Sequence, residues 1–151
     1  MENCFCLLNS VLRLYESNFR NLHWNSAGNE FNDAHKSITT DYYDMIGGDI
    51  DKIAEIIAML GENAPNYIEV LDIIKNQDKN FLIIDSSALY SREEIIKFAD
   101  IMLNDICILL SCCLESEVLS DPMNAGIKSE LESILYNYTL EARYINKRRN
   151  A

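Results

Sequence analysis

Residues 18–35 read NFRNLHWNSAGNEFNDAH. The stretch closes one apolar-periodic segment, turns through Asn, Ser, Ala and Gly, and opens another. It also holds both histidines of the chain, His23 and His35, twelve positions apart. Upstream, Leu7, Leu8, Val11, Leu12, Leu14, Tyr15, Phe19 and Leu22 recur at three-to-four spacing, which predicts a helix over 3–25 with one apolar stripe. Downstream, Asn32 or Asp33 suits an N-cap, and the helical pattern runs over 32–60 until Gly61, with Pro65 just beyond.

The rest of the chain repeats this habit. Residues 66–77 predict a short connecting helix, and 78–90 a loop with an apolar plug. Ser91 to Glu94 form a capping box that opens a third long helix, expected to reach Leu119 before Asp121-Pro122 breaks it. A fourth runs from Asn124 or Gly126 to Arg148, burying Leu131, Ile134, Leu135, Tyr138, Leu140 and Tyr144. With only five Gly and two Pro, the expectation is an all-α chain, a single domain over 1–151, folded as a four-helix bundle. The short extra helix sits in the crossover between helices two and three. That link is long enough to cross the bundle, so the two helices it joins can run parallel.

Composition excludes several classes of function. The longest strongly apolar run, 106–114, is too short to span a membrane. The first residues, with an acidic second position, do not read as a signal peptide. A net charge of −11 opposes a general nucleic-acid surface, and fits either plain solubility or attraction of cations. Five cysteines (4, 6, 107, 112 and 113) form no CxxC pair, which suggests buried thiols in a reducing, cytoplasmic setting; redox or metal use is the alternative.

The chemistry-bearing residues lie around the two histidines. In DIDKIAE, Asp51 and Glu55 are four residues apart and project from one face of helix two. Two imidazoles and two carboxylates make a mixed N/O set suited to Fe(II) and other divalent first-row metals. On the bland reading, His23 packs at a helix end, and Asp51 and Glu55 are solvated or paired with Lys52. His35 and Asp51 are about 24 Å apart along the helix axis, so one subunit cannot bring them to one ion. A shared site would lie between antiparallel subunits about a two-fold axis, in two identical copies.

At these residues the sequence resembles the Dps proteins, the DNA-protecting mini-ferritins. The resemblance rests on His23-Trp24, Gly28, Phe31, His35, Tyr42 or Tyr43, and Asp51-Lys-Ile-Ala-Glu55, about 40 residues closely and the remainder weakly. It implies a ferritin-like bundle assembled as a homo-oligomer, a dodecamer built on two-fold dimers. It also implies a ferroxidase that oxidises Fe(II) with peroxide or oxygen and stores the ferric product. His23 and His35 would come from one subunit, Asp51 and Glu55 from the other, with Trp24 alongside. Glu115, Glu117, Glu130, Glu132 and Glu141 would then line a mineral-nucleating cavity, or simply face solvent.

Departures from the pattern are visible. The acidic residue expected four positions after the second histidine is Thr39, and Asp41 falls two positions later. From His35 to Asp51 the spacing is sixteen rather than fifteen. On an ideal helix that moves Asp51 from about 60° to about 160° around the axis. A π-bulge at Gly47-Gly48 is the expected remedy. The lysine-rich N-terminal tail with which the family binds DNA has no counterpart here; Lys147, Arg148 and Arg149 are a weak substitute. The Glu-x-x-His pairs of a ferritin site inside one bundle are missing, because Arg20 and Asn32 stand three residues before the histidines. The alternative to an iron oxidase is a non-catalytic bundle kept as a structural component of an oligomer or particle, its metal site decayed.

Overall fold

The computed structural model describes residues 4–149. Helix α1 spans Cys4–Trp24. Helix α2 runs over 31–59 as one continuous rod, made of Phe31–Asp33, a π turn at Ala34–Ile38, and a regular α-helix Thr39–Met59. The short α3 covers Tyr67–Lys75 and α4 covers Arg92–Leu114. Helix α5 joins Ala125–Leu140, a second π turn at Glu141–Ile145, and Asn146–Arg149. The described residues contain no strand, only one isolated bridge between Ser26 and Tyr90.

Pairs of touching side chains give the topology. Asn9 Nδ2 donates to Ile50 O, and His23 meets His35, so α1 and α2 are antiparallel. Tyr15 meets Asp105 and Asn18 meets Met102, so α1 and α4 are antiparallel too. Helices α2 and α4 therefore run parallel, as the long crossover allows. Lys52 with Glu130, and Cys107 with Thr139, set α5 antiparallel to both. The chain is an all-α, ferritin-like four-helix bundle with a short helix in its crossover.

Heptad-like spacing builds the core. Phe5, Leu8, Leu12, Tyr15, Phe19 and Leu22 alternate steps of three and four along α1, and all are fully buried. Each apolar side chain among them stabilises the fold by about 1.5–3 kcal/mol relative to exposure. Phe19 packs on Tyr42 of α2, ring centres 5.2 Å apart. Polar anchors hold the crossover against this core. Asn18 Nδ2 donates to Leu82 O at 2.8 Å, and its Oδ1 accepts from Ile84 N–H at 3.3 Å. Arg13 donates to Pro65 O, closing the start of the crossover onto α1.

Two boundaries differ from expectation, and a third falls outside the comparison. The predicted start of the first helix, Asn3, lies outside the described residues. Neither Asn32 nor Asp33 caps α2: the N-cap is Glu30, in the left-handed region at φ 61°, with no side-chain cap bond. The start is instead tied down from outside, because Arg92 of α4 pairs with Asp33 at 2.6 Å and Glu30 at 3.7 Å. Helix α4 ends at Leu114, not Leu119. Ser116 is extended, and a 3₁₀ turn at Glu117–Ser120 folds Leu119 back into the core.

One buried carboxyl has a measurable consequence. Asp49 on α2 is buried beside Tyr138, whose hydroxyl completes no hydrogen bond among the described residues. Burial pushes the Asp49 carboxyl above its ordinary range. Folding then favours the protonated form. The favourable contribution is full below the unfolded value, near pH 4, and is lost as pH rises through the folded value. Asp49→Asn is expected to raise the melting temperature at neutral pH and to lose that advantage in acid. Calorimetry of both proteins across this range checks the sign.

Candidate metal centre

The two histidines meet where α1 ends and α2 begins. Their rings stack with centres 3.8 Å apart and planes 12° from parallel. Each ring is held by the other's backbone. His23 Nδ1–H donates to His35 O at 2.6 Å, and His35 Nδ1–H donates to His23 O at 2.8 Å. Both acceptors are carbonyls, so both rings must carry the proton on Nδ1. The Nε2 lone pairs remain, and neither Nε2 has a hydrogen-bond partner among the described residues.

The backbone makes these carbonyls available for two different reasons. The His23 carbonyl lies in the last turn of α1, where helical partners run out. Its other partner is the Ser26 hydroxyl at 3.0 Å. The His35 carbonyl lies in the π turn, where Thr39 N–H reaches five residues back to Ala34 O. It accepts from His23, from Thr39 Oγ1–H at 3.0 Å, and from Thr40 Oγ1–H at 3.1 Å. The two hydroxyl oxygens also lie 3.1 Å and 3.4 Å from His23 Nδ1.

Aromatic rings enclose the pair. Phe31 stacks on His35 at 5.0 Å, and Tyr43 meets His23 edge-on at 5.5 Å. Arg20 lies 4.4 Å over the Tyr43 ring and pairs with Glu16 at 3.1 Å. Trp24 is 67% exposed.

Asp51 and Glu55 sit farther along α2, both exposed. Neither makes an ion pair or hydrogen bond among the described residues; Lys52, their expected salt-bridge partner, turns to Glu130 at 3.6 Å. The π-bulge predicted at Gly47-Gly48 is absent, since Thr39–Met59 is regular α-helix. Gly47 has another use: a Cβ there would come within 3.0 Å of Glu16 Oε2. The bulge lies at Ala34–Ile38 instead, around His35. A π turn takes in one residue more than an α turn. Everything beyond it therefore returns to the face that a fifteen-residue spacing gives.

The described residues of one chain bring together no group of three or more His, Cys, Asp or Glu side chains able to hold an ion. Inside the bundle the Tyr15 hydroxyl donates to Asp105 at 2.5 Å, with Lys79 on the other carboxylate oxygen. Sequence reasoning missed Thr40, Phe31 as a stacking partner and the two carbonyls. The paired β-branched residues Thr39-Thr40, four and five positions after His35, were the available signal.

This arrangement of helices has solved counterparts. CAIP of Helicobacter cinaedi superposes with a TM-score of 0.81 over 99% of this chain and 98% of its own, at 15% identity. Dps of Staphylococcus aureus gives 0.79 over 99% and 93%, at 13% identity. The chain has the ferritin-like fold of the Dps proteins. A Dps of Vibrio cholerae O1, described as belonging to a broad superfamily of ferritin-like diiron-carboxylate proteins, covers 98% and 85% at 0.69 and 18% identity. No family model and no curated protein matches the chain. Identities this low speak for the Dps fold alone, so the chemistry must be argued from the residues. No helix among the described residues is long and apolar enough to cross a membrane.

Proposed function

We propose that this Dps-like protein binds Fe(II) between two-fold-related subunits, oxidises it, and retains the ferric product. The observation that carries the reading is the reciprocal histidine clasp: two stacked rings, each with Nδ1 held on the other's backbone carbonyl and Nε2 left without a partner among the described residues. His23 and His35 of one subunit, with Asp51 and Glu55 of its neighbour, make a donor set that suits iron as substrate. The unpaired carboxylates support a site completed by a second copy. So does exposed apolar surface, including Trp24 and, on α3, Tyr67 and Ile68. The homo-oligomer is a dodecamer built on such dimers, and it works in the cytoplasm.

In the reaction each Fe(II) gives up one electron. Hydrogen peroxide takes two, its O–O bond breaks, and two hydroxides form. The anionic carboxylates stabilise the higher charge of Fe(III), and the aromatic rings around the clasp limit water on the histidine side. DNA binding through Lys147, Arg148 and Arg149 would be weak on this charge pattern. Arg149 is already committed in part, donating to Tyr42 Oη at 2.7 Å.

Anaerobic Fe(II) loading followed by peroxide tests the function. The wild type is expected to oxidise iron well above the buffer rate, and His23→Ala with His35→Ala to lose roughly a hundredfold or more. Equal rates for wild type, double variant and buffer would leave the structural-component reading in possession.

A further inference from the structure

We propose that Thr39 is the positioning residue of the histidine clasp, acting through the π turn and not by contact with a metal. The inference rests on reading His23 and His35 as metal-binding residues. In a regular α-helix Thr39 N–H bonds to His35 O, four residues back. Here it bonds to Ala34 O. What spans the widened turn is the Thr39 hydroxyl, whose one proton is shared between Ala34 O at 2.9 Å and His35 O at 3.0 Å. It is fully buried, so no water replaces it. The hydroxyl therefore clips the turn open at one place along the helix. That place leaves the His35 carbonyl aimed at His23 Nδ1, 2.6 Å away.

The same oxygen, with its proton engaged by the carbonyls, offers His23 Nδ1 only a lone pair, at 3.1 Å. A bare Nδ1 would face the His35 carbonyl lone pair to lone pair at 2.6 Å. Carbonyl and hydroxyls together thus fix the His23 tautomer that presents Nε2, a task often given to a carboxylate behind a metal-binding imidazole. His35 is a built-in control. Its Nδ1–H bonds to the His23 carbonyl, which belongs to α1 and lies outside the π turn.

Nitrogen-15 NMR of histidine-labelled, metal-free protein reads the tautomer directly, in alkaline conditions where both rings are neutral. The wild type is expected to show both rings as Nδ1–H. Thr39→Val keeps the shape. It removes the hydroxyl that holds the His35 carbonyl in place, and the His23 signal moves to a tautomer mixture while His35 Nδ1–H stays on the His23 carbonyl. Thr39→Ser restores the wild-type pattern. Co²⁺, as a non-oxidising probe, binds the valine variant about tenfold more weakly. A folded Thr39→Val protein whose His23 remains wholly Nδ1–H overturns the proposal. So does an equal response of both rings, which would mark a general loosening. Should the wild type bind neither Co²⁺ nor Fe(II) while the tautomer still responds, the metal reading fails and the positioning role stands.

Discussion

Co-expressed at equal levels, a chain carrying His23→Ala and His35→Ala and a chain carrying Asp51→Asn and Glu55→Gln are expected to regain activity that neither has alone. The expectation follows from where the residues sit. The clasp is at one end of α2, and the carboxylates lie four turns along the same rod, so no chain brings them together. In a two-fold pair of unlike variants, one site receives the intact histidines and the intact carboxylates, while the other receives neither. Random pairing makes half the pairs unlike, so about a quarter of the wild-type sites return. Peroxide-driven Fe(II) oxidation by the co-purified mixture measures the fraction. No recovery, with assembly intact by mass, would place the four residues in one chain's chemistry or in none. Recovery to a quarter would support both the split site and the identity of its halves.

Asp105→Ala is expected to destabilise the fold by leaving a buried hydrogen-bond donor without an acceptor. The carboxylate accepts from the buried Tyr15 hydroxyl at 2.5 Å and from Lys79, which arrives from the crossover. Removing it leaves a buried donor with no acceptor, at a cost of about 1–3 kcal/mol. Lys79 is half exposed and adds little of its own. For a chain of this size the melting temperature should fall by roughly 3–10 °C. Tyr15→Phe in the same background should recover part of the loss, because it removes the orphaned donor. Thermal melts of the two single variants and the double variant give the coupling. Additive losses would mean that the pair is not a unit.

The bundle was legible because its signals are local and repeated. The three-to-four stripe of α1 names most of its buried face, though Leu7 and Leu14 are only partly buried and Phe5 joins the core from outside the predicted stripe. Ser91 and Glu94 form the capping box that their spacing predicts, and Gly61 stops α2 with φ at 87°. Helix ends were harder where tertiary contacts decide them. Arg92 sets the start of α2 from another helix, and the burial of Leu119 ends α4 five residues early. In the candidate centre the side-chain letters pointed to His23, His35, Asp51 and Glu55. The groups that orient the rings are backbone carbonyls, which no letter encodes. The glycine pair misled for a related reason. Glycine marks a place where a helix can bulge at low cost, but it equally marks close approach, and Gly47 serves the approach of Glu16.

The π turn at Ala34–Ile38 has the character of a dislocation in a crystal row. One supernumerary residue is confined to a single turn, and the lattice on either side stays in phase. Ile46, Ile53, Ile56 and Ile57 keep their places in the core beyond it. Any comparison that runs this helix against a fifteen-residue relative without a gap in that turn sets Asp51 and Glu55 against the wrong neighbours, even though the two rods overlie in space.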